Sequence, residues 1–185
     1  MNLAITKALA GFLLMSNLSG SAFAASDALL PARDSFNVSM TAYNAVVEQT
    51  DSDPSITASG AYSDSDVVAA RSKDLAEKLP FGTVIQIVPD SSTSTTCGLS
   101  VVEDQIGLRV IADSMHPRKR NQIDVLLDAG SRVSVGGKNT NPAIALGVCK
   151  GVEVRIVGKV DVAHMPRNQA ELKKVLGEQL LAIKK

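Results

Sequence analysis

The sequence predicts a mainly β domain, with a small barrel favoured over a layered α/β sheet. Runs that alternate apolar and polar residues are typical of half-buried strands, and the clearest are 36–43 and 152–157. Turn-forming segments separate such runs, and the chain shows no internal repeat. These observations favour several short strands joined by long loops.

Residues 1–24 have the features of a secretory signal peptide and are excluded from the fold. Lys7 gives a positive start, residues 8–18 are apolar, and residues 22–24 read Ala-Phe-Ala, a small-x-small cleavage pattern. The apolar run is too short to span a membrane. We therefore expect an exported protein, periplasmic or released from the cell, whose mature chain starts at Ala25. Its 161 residues (185 − 24) suffice for one domain.

The mature chain is predicted to consist of a leader at 25–35, a barrel domain at 36–160, and a linker with a C-terminal helix at 161–185. Further strands are expected at 84–88, 99–103 and 108–112, a short or broken helix at 64–79, one helical turn at 143–148, and loops at 89–96 and 130–142. In the tail, Asn168 and Glu171 match a capping box. Apolar residues then follow at helical spacing and predict an amphipathic helix packed on the body.

Composition excludes several classes of partner. The 19 basic and 19 acidic residues leave no net charge, and aromatic residues are only 3% of the chain, so a nucleic-acid surface is not expected. Cys97 and Cys149 are the only cysteines, and in an oxidising compartment one disulfide is the default. Two distant cysteines and two histidines do not readily form a metal site, so neither metal nor cofactor is predicted.

The most informative stretch is 110–127, which places Asp113 and Asp124 eleven positions apart (124 − 113). Each lies in or beside an apolar β-type run, and a basic loop separates them. A strand–loop–strand arrangement brings both carboxylates to one end of a sheet. A close pair of carboxylates raises one pKa, as a general acid near neutral pH requires. The alternative is that both are solvated aspartates that cap turns at strand ends.

Six segments extend this pattern in order: T-A-Y at 41–43, I-T-A-S-G at 56–60, V-V-A-A at 67–70, L-P-F-G-T-V-I-Q-I at 79–87, V-I-A-D-S-M-H-P-R at 110–118 and N-Q-I-D-V at 121–125. The ordered set resembles the three-aspartate (3D) domain family, related to the barrels of rare lipoprotein A, expansins and membrane-bound lytic transglycosylase A. The resemblance implies a six-stranded double-psi β-barrel that acts on bacterial cell-wall glycan, usually as a lytic transglycosylase.

The resemblance also implies roles for individual residues. The family's catalytic acid/base falls on Asp124, and Asp113 lines the same groove. Tyr43, Thr57 and Ser59 are expected to offer hydroxyls to the sugar or to the carboxylates. In the basic loop, Arg118 is assigned to substrate binding and His116 is interpreted as a surface histidine.

Two departures from the family pattern stand out. Where lytic members carry the Gly-rich D-T-G-G-A-I-K-G, this chain reads D-S-M-H-P-R at 113–118. The family's other aspartate falls near Arg71, so the third acidic position is assigned to Asp74, or to Asp51 or Asp53 from another loop.

Three functions are consistent with the sequence. The first is an enzyme that cleaves the MurNAc–GlcNAc bond of peptidoglycan strands as a monomer, with no stable membrane insertion. The second is a non-catalytic, expansin-like module that binds or loosens the wall through the same groove. The third is a disulfide-stabilised structural or interaction protein of the envelope. The retained pair of aspartates favours the first function, and the two departures favour the second.

Overall fold

The computed structural model describes residues 34–50, 52–89 and 97–183, so the predicted signal peptide and nearly all of the leader lie outside the described residues. The elements, in chain order, are β1 (Asp34–Tyr43), β2 (Val68–Arg71), β3 (Thr83–Val88), α1 (Leu99–Ile106), β4 (Leu108–Ser114), β5 (Gln122–Leu126), β6 (Val133–Val135), β7 (Lys138–Thr140), α2 (Pro142–Leu146), β8 (Cys149–Lys159) and α3 (Gln169–Ile183). Two short 3-10 helices, Lys73–Leu75 and Val162–His164, complete the list.

Six strands form a closed barrel in the order β1-β5-β2-β4-β3-β8, with β8 pairing back onto β1. The β1–β5 and β2–β4 pairs are parallel, and the other four pairs are antiparallel. Strands β6 and β7 form a separate hairpin. The prediction of a mainly β chain with a barrel and few short helices is therefore confirmed.

Two apolar clusters fill the fold. The first contains Met40, Ile85 and Ile111 and is covered by α1 and α2. The second contains Tyr43 and Val110 and is covered by α3, whose Leu172 and Leu176 are buried. The start of α3 is capped by Asn168, whose Oδ1 accepts from the Glu171 N–H at 2.9 Å.

One cation is fully buried in the barrel wall. Arg109 on β4 has no exposed surface. Its guanidinium donates to backbone carbonyls of separate segments, including Ser65 at 2.7 Å, Leu126 at 3.0 Å and Gln105. Burial lowers the pKa of Arg109 to about 10, so the group is still charged at neutral pH. This side chain joins β4, β5, α1 and the segment before β2.

The structure corrects three element predictions. The predicted strand 99–103 is part of helix α1, in which Leu99, Val102 and Ile106 are buried at helical spacing. The predicted helix 64–79 contains strand β2 and a 3-10 helix. All four residues of β2 are buried, so this strand lacks the alternation that identifies a half-buried strand.

The predicted loop 130–142 contains the β6–β7 hairpin, whose turn residues Gly136 and Gly137 both have positive φ, as a two-residue type I′ turn requires. The predicted disulfide is present between Cys97 and Cys149, with Cα atoms 5.3 Å apart. Within the described ranges, no helix combines the length and the apolar character needed to cross a membrane.

Candidate functional site: two carboxylates on either side of Ala70

The barrel brings Asp113 and Asp124 to the same level on either side of β2. In the strand register, Ala70 pairs with Asp113 of β4 on one side and with Asp124 of β5 on the other. Thr41 of β1 pairs with the far side of Asp124. Since neighbouring strands lie about 4.8 Å apart, the two aspartate Cα atoms are roughly 10 Å apart. The sequence predicts that the two carboxylates meet at one end of a sheet. In the structure they lie on β4 and β5, with β2 between them.

Asp124 is a half-buried carboxyl group on a hydrogen-bonded support. Thr41 Oγ1 donates to Asp124 Oδ1 at 2.7 Å, and Gln122 Nε2 donates to Thr41 Oγ1 at 2.9 Å. Burial raises the pKa of Asp124 to about 6; the Thr41 hydrogen bond and the charge of Lys119 oppose the rise, and Asp113 adds to it. A carboxyl group with this pKa exchanges a proton near neutral pH, as general acid/base catalysis requires.

Asp113 is held differently, by three donors. Tyr43 Oη donates to Oδ2 at 2.9 Å, while the backbone N–H groups of Ala58 and Ser114 donate to Oδ1 at 2.9 and 2.8 Å. A carboxylate has about four lone-pair positions, so three are occupied. Asp113 is therefore a fixed acceptor, and Asp124 is the carboxyl group that is free to transfer a proton.

The Tyr43 hydroxyl is a hydrogen-bond donor to Asp113 that does not ionise near neutral pH. Its side chain is buried at the end of β1, and only 8% of its surface is exposed. Burial, and then the neighbouring charge of Asp113, raises the pKa of the Tyr43 hydroxyl far above its ordinary value. The hydroxyl keeps its proton and its orientation toward Asp113.

The loop 57–61 positions the Ala58 N–H against Asp113. Thr57 is buried, and its hydroxyl lies within hydrogen-bond distance of the Ala61 carbonyl and of Ser59 Oγ, each at 3.1 Å. The Ser59 N–H donates to the Ala112 carbonyl, and Gly60 takes a positive φ of 83° to close the turn. Thr57 therefore shapes the loop from inside, and half-buried Ser59 is the nearer of the two hydroxyls to solvent.

The remaining predicted residues that the structure describes are exposed. Arg118 is exposed in the loop between β4 and β5. Asp74, assigned to the third acidic position, is exposed and accepts the backbone N–H of Asn121 at 2.9 Å. Asp53 accepts both donors of Ser55 in a surface turn. Asp51 lies outside the described residues.

Three residues that act on Asp124 were assigned no role from the sequence. Thr41 lies inside the T-A-Y segment, Gln122 precedes Ile123 in the N-Q-I-D-V segment, and Lys119 belongs to the basic loop. Their involvement follows from the β1–β5 register and from the path of the loop. A parallel pairing of Thr41 with Asp124 joins residues 83 positions apart, and no local pattern signals it.

The fold and site together define a closed six-stranded β-barrel with one half-buried aspartate, whose pKa is raised to about 6, and one aspartate held by three hydrogen-bond donors. Among the described residues, no group of three or more His, Cys, Asp and Glu side chains is arranged to hold a metal ion. Comparison of the chain with protein-family models and with curated proteins finds no match.

Proposed function

We propose that this protein is an exported, peptidoglycan-active enzyme of the 3D-domain type that cleaves the MurNAc–GlcNAc bond as a lytic transglycosylase. The observation that carries the proposal is the half-buried Asp124, with a pKa raised to about 6, beside a second carboxylate on the same barrel. The proposal includes a double-psi connection of the six strands, an amphipathic C-terminal helix, and monomeric action on glycan strands.

The reaction needs one carboxyl group in two protonation states. Protonated Asp124 donates its proton to the glycosidic oxygen as the bond from this oxygen to the muramyl C1 breaks. The resulting Asp124 carboxylate then removes the proton from the muramyl 6-hydroxyl, whose oxygen forms a bond to C1. The product is a 1,6-anhydro end, Asp124 regains its proton, and no water is consumed. The attack is intramolecular, which gives it a large proximity advantage.

The coordination of Asp113 supports a mechanism with a single acid/base. Ordinary glycoside hydrolysis uses two carboxyl groups, and the second acts as a nucleophile or activates water. In this site Tyr43 and the Ala58 and Ser114 N–H groups already occupy Asp113. Asp113 is a fixed hydrogen-bond acceptor that orients the groove, while Asp124 carries both proton transfers.

A non-catalytic, expansin-like wall-binding function is the second candidate. It is favoured by the cation Arg71 near the position where the family carries its other aspartate, and by the bulky Met115 and His116 in place of two glycines. In that case the same groove binds glycan without turnover.

Digestion of purified peptidoglycan distinguishes the two candidates. Wild type and Asp124→Asn are incubated with sacculi, and the soluble products are analysed by mass spectrometry, with Asp104→Asn on α1 as a matched control. Anhydro-muropeptides from wild type and the control, and none from Asp124→Asn, support the enzyme. If no variant releases product but all sediment with the sacculi, the protein is a binding module, and the catalytic proposal is wrong.

A further inference from the structure

A second recognition region adjoins the carboxylate pair. An open groove of about 660 Å³ lies beside Asp113 and is lined in part by Ala58 and Ser114. Both residues donate their backbone N–H to Asp113. The groove and the acidic site therefore share a wall.

The groove is basic. Arg71, Lys73 and His116 line it together with apolar surface from Phe81, Met115 and Pro117, and none of its lining residues is Asp or Glu. Lys73 and His116 are exposed, whereas only 8% of the surface of Arg71 is exposed. The set combines one buried cation, one exposed cation and an imidazole around a partly apolar floor.

The Arg71 side chain is held in place by two contacts, but not all of its N–H groups have a partner among the described residues. Its Nε donates to the Leu79 carbonyl at 3.0 Å, and its guanidinium lies 4.9 Å from the Phe81 ring centre. Its two terminal nitrogens donate to no residue in the described part of the chain. No buried side-chain nitrogen there lacks a partner, so these two nitrogens are accessible in the groove that Arg71 lines. Burial lowers the pKa of Arg71, because the charged form loses hydration that an anion would replace.

His116 lines the same groove. The Arg118 N–H donates to His116 Nδ1 at 3.2 Å, so Nδ1 carries a lone pair and the neutral ring holds its proton on Nε2. The lining residues of the groove thus include an arginine, a lysine and a histidine, and none of them is Asp or Glu.

We propose that this groove, the Arg71 groove, binds a carboxylate of the glycan ligand next to the cleavage site. A planar guanidinium with two accessible N–H edges matches a carboxylate. Peptidoglycan offers carboxylates near the muramyl ring from two sources, the lactyl group of strands without peptides and the stem peptide. The proposal rests on the proposed function only in taking peptidoglycan fragments as the ligand.

Binding is measured by calorimetry in the Asp124→Asn background, which prevents turnover. The probes are GlcNAc–MurNAc, GlcNAc–MurNAc-tetrapeptide, the same two compounds with their carboxylates amidated, and a GlcNAc tetramer. Arg71→Gln removes a buried charged donor and is expected to raise the Kd of carboxylate-bearing probes on the order of tenfold, which corresponds to about 1.4 kcal/mol. Lys73→Glu changes an exposed charge and is expected to raise this Kd about threefold. Neither change should alter the Kd of the GlcNAc tetramer by more than about twofold. Lys150→Glu, at an exposed position on β8, is the matched charge control. If Arg71→Gln fails to fold, Lys73→Glu alone tests the groove, because Lys73 is exposed and its replacement does not disturb the core.

The probes identify the source of the carboxylate and allow refutation. Loss of affinity for GlcNAc–MurNAc supports the lactyl group, and loss confined to the tetrapeptide form supports the stem peptide. Equal affinity for free and amidated probes, or carboxylate affinity unchanged in both variants, overturns the proposal. If sacculi yield anhydro products while the affinity for the probes does not depend on their carboxylates, the proposed role of the Arg71 groove is wrong and the catalytic proposal is retained. If no products form but the affinity for the probes depends on their carboxylates, the proposed role of the groove is retained and the catalytic proposal is wrong.

Discussion

Replacing Asp124 with Asn should stabilise the protein, and the gain should grow with pH. The folded state raises the pKa of Asp124 from an ordinary 3.8 to about 6 because burial penalises the charged form. Above pH 6 the wild type therefore keeps a carboxylate in a site that disfavours it. The substituted asparagine carries no charge, and its side-chain oxygen can still accept the hydrogen bond from Thr41.

The size of this effect follows from the two pKa values. The difference of about 2.2 corresponds to about 3 kcal/mol at 1.36 kcal/mol per pKa unit. A group whose folded pKa is raised contributes stability that is complete below pH 3.8 and is lost as pH rises through 6. For the wild type, the loss is about 1.6 kcal/mol at pH 5 and about 3 kcal/mol at pH 7.5. The gain from Asp124→Asn should therefore be about 1.4 kcal/mol larger at pH 7.5 than at pH 5.

Urea unfolding and thermal unfolding at both pH values test this reasoning. The difference in Tm between Asp124→Asn and wild type should be about 3–6 °C greater at pH 7.5 than at pH 5. Asp104→Asn, an exposed aspartate on α1, controls for removal of a charge. If the Asp124→Asn difference is the same at both pH values, the carboxyl group is not destabilised in the fold and the argument for an acid at this position is refuted.

Three further perturbations test other parts of the structure. Thr41→Val removes the hydrogen bond that stabilises charged Asp124, so its pKa should rise from about 6 to about 7 by carboxyl NMR titration, and an unchanged titration would exclude that bond from the site. Replacing Cys97 and Cys149 with Ser together should lower the free energy of unfolding in urea by roughly 4 kcal/mol, because the disulfide joins residues 52 positions apart. Arg109→Met should lower it by at least about 3 kcal/mol through unsatisfied backbone carbonyls, and a loss below about 1 kcal/mol would show that water replaces those contacts.

The alternation of apolar and polar residues is sufficient to predict the strands that have one buried and one exposed face. The runs at 36–43 and 152–157 alternate in the sequence and lie within β1 and β8. Strand β2 could not be predicted in this way, because all four of its residues are buried between β4 and β5 and no alternation is present. In α1, the adjacent Val101 and Val102 suggested a strand, whereas burial at Leu99, Val102 and Ile106 follows the helix.

The site was predictable to the extent that it lies on one continuous stretch. Asp113 and Asp124 stood out because both flank the same loop and adjoin apolar runs. Several of the groups that tune them come from elsewhere: Thr41 and Tyr43 from β1, and Ala58 from a loop whose contribution is a backbone N–H. A backbone donor has no sequence signature, and a parallel strand register cannot be read from either strand alone. The assignment of roles to individual atoms therefore required the three-dimensional arrangement.

The order of strands around the barrel also constrains how the chain can acquire its structure. Strand β1 is paired on one side with β5 and on the other with β8, more than one hundred residues later in the chain. A chain that ends before β8 leaves one edge of β1 and one edge of β3 without partners. Open edges of this kind invite pairing between molecules, and such distant contacts slow folding. Closure of the barrel therefore requires β8, and fragments lacking β8 should aggregate even when every residue around Asp113 and Asp124 is present.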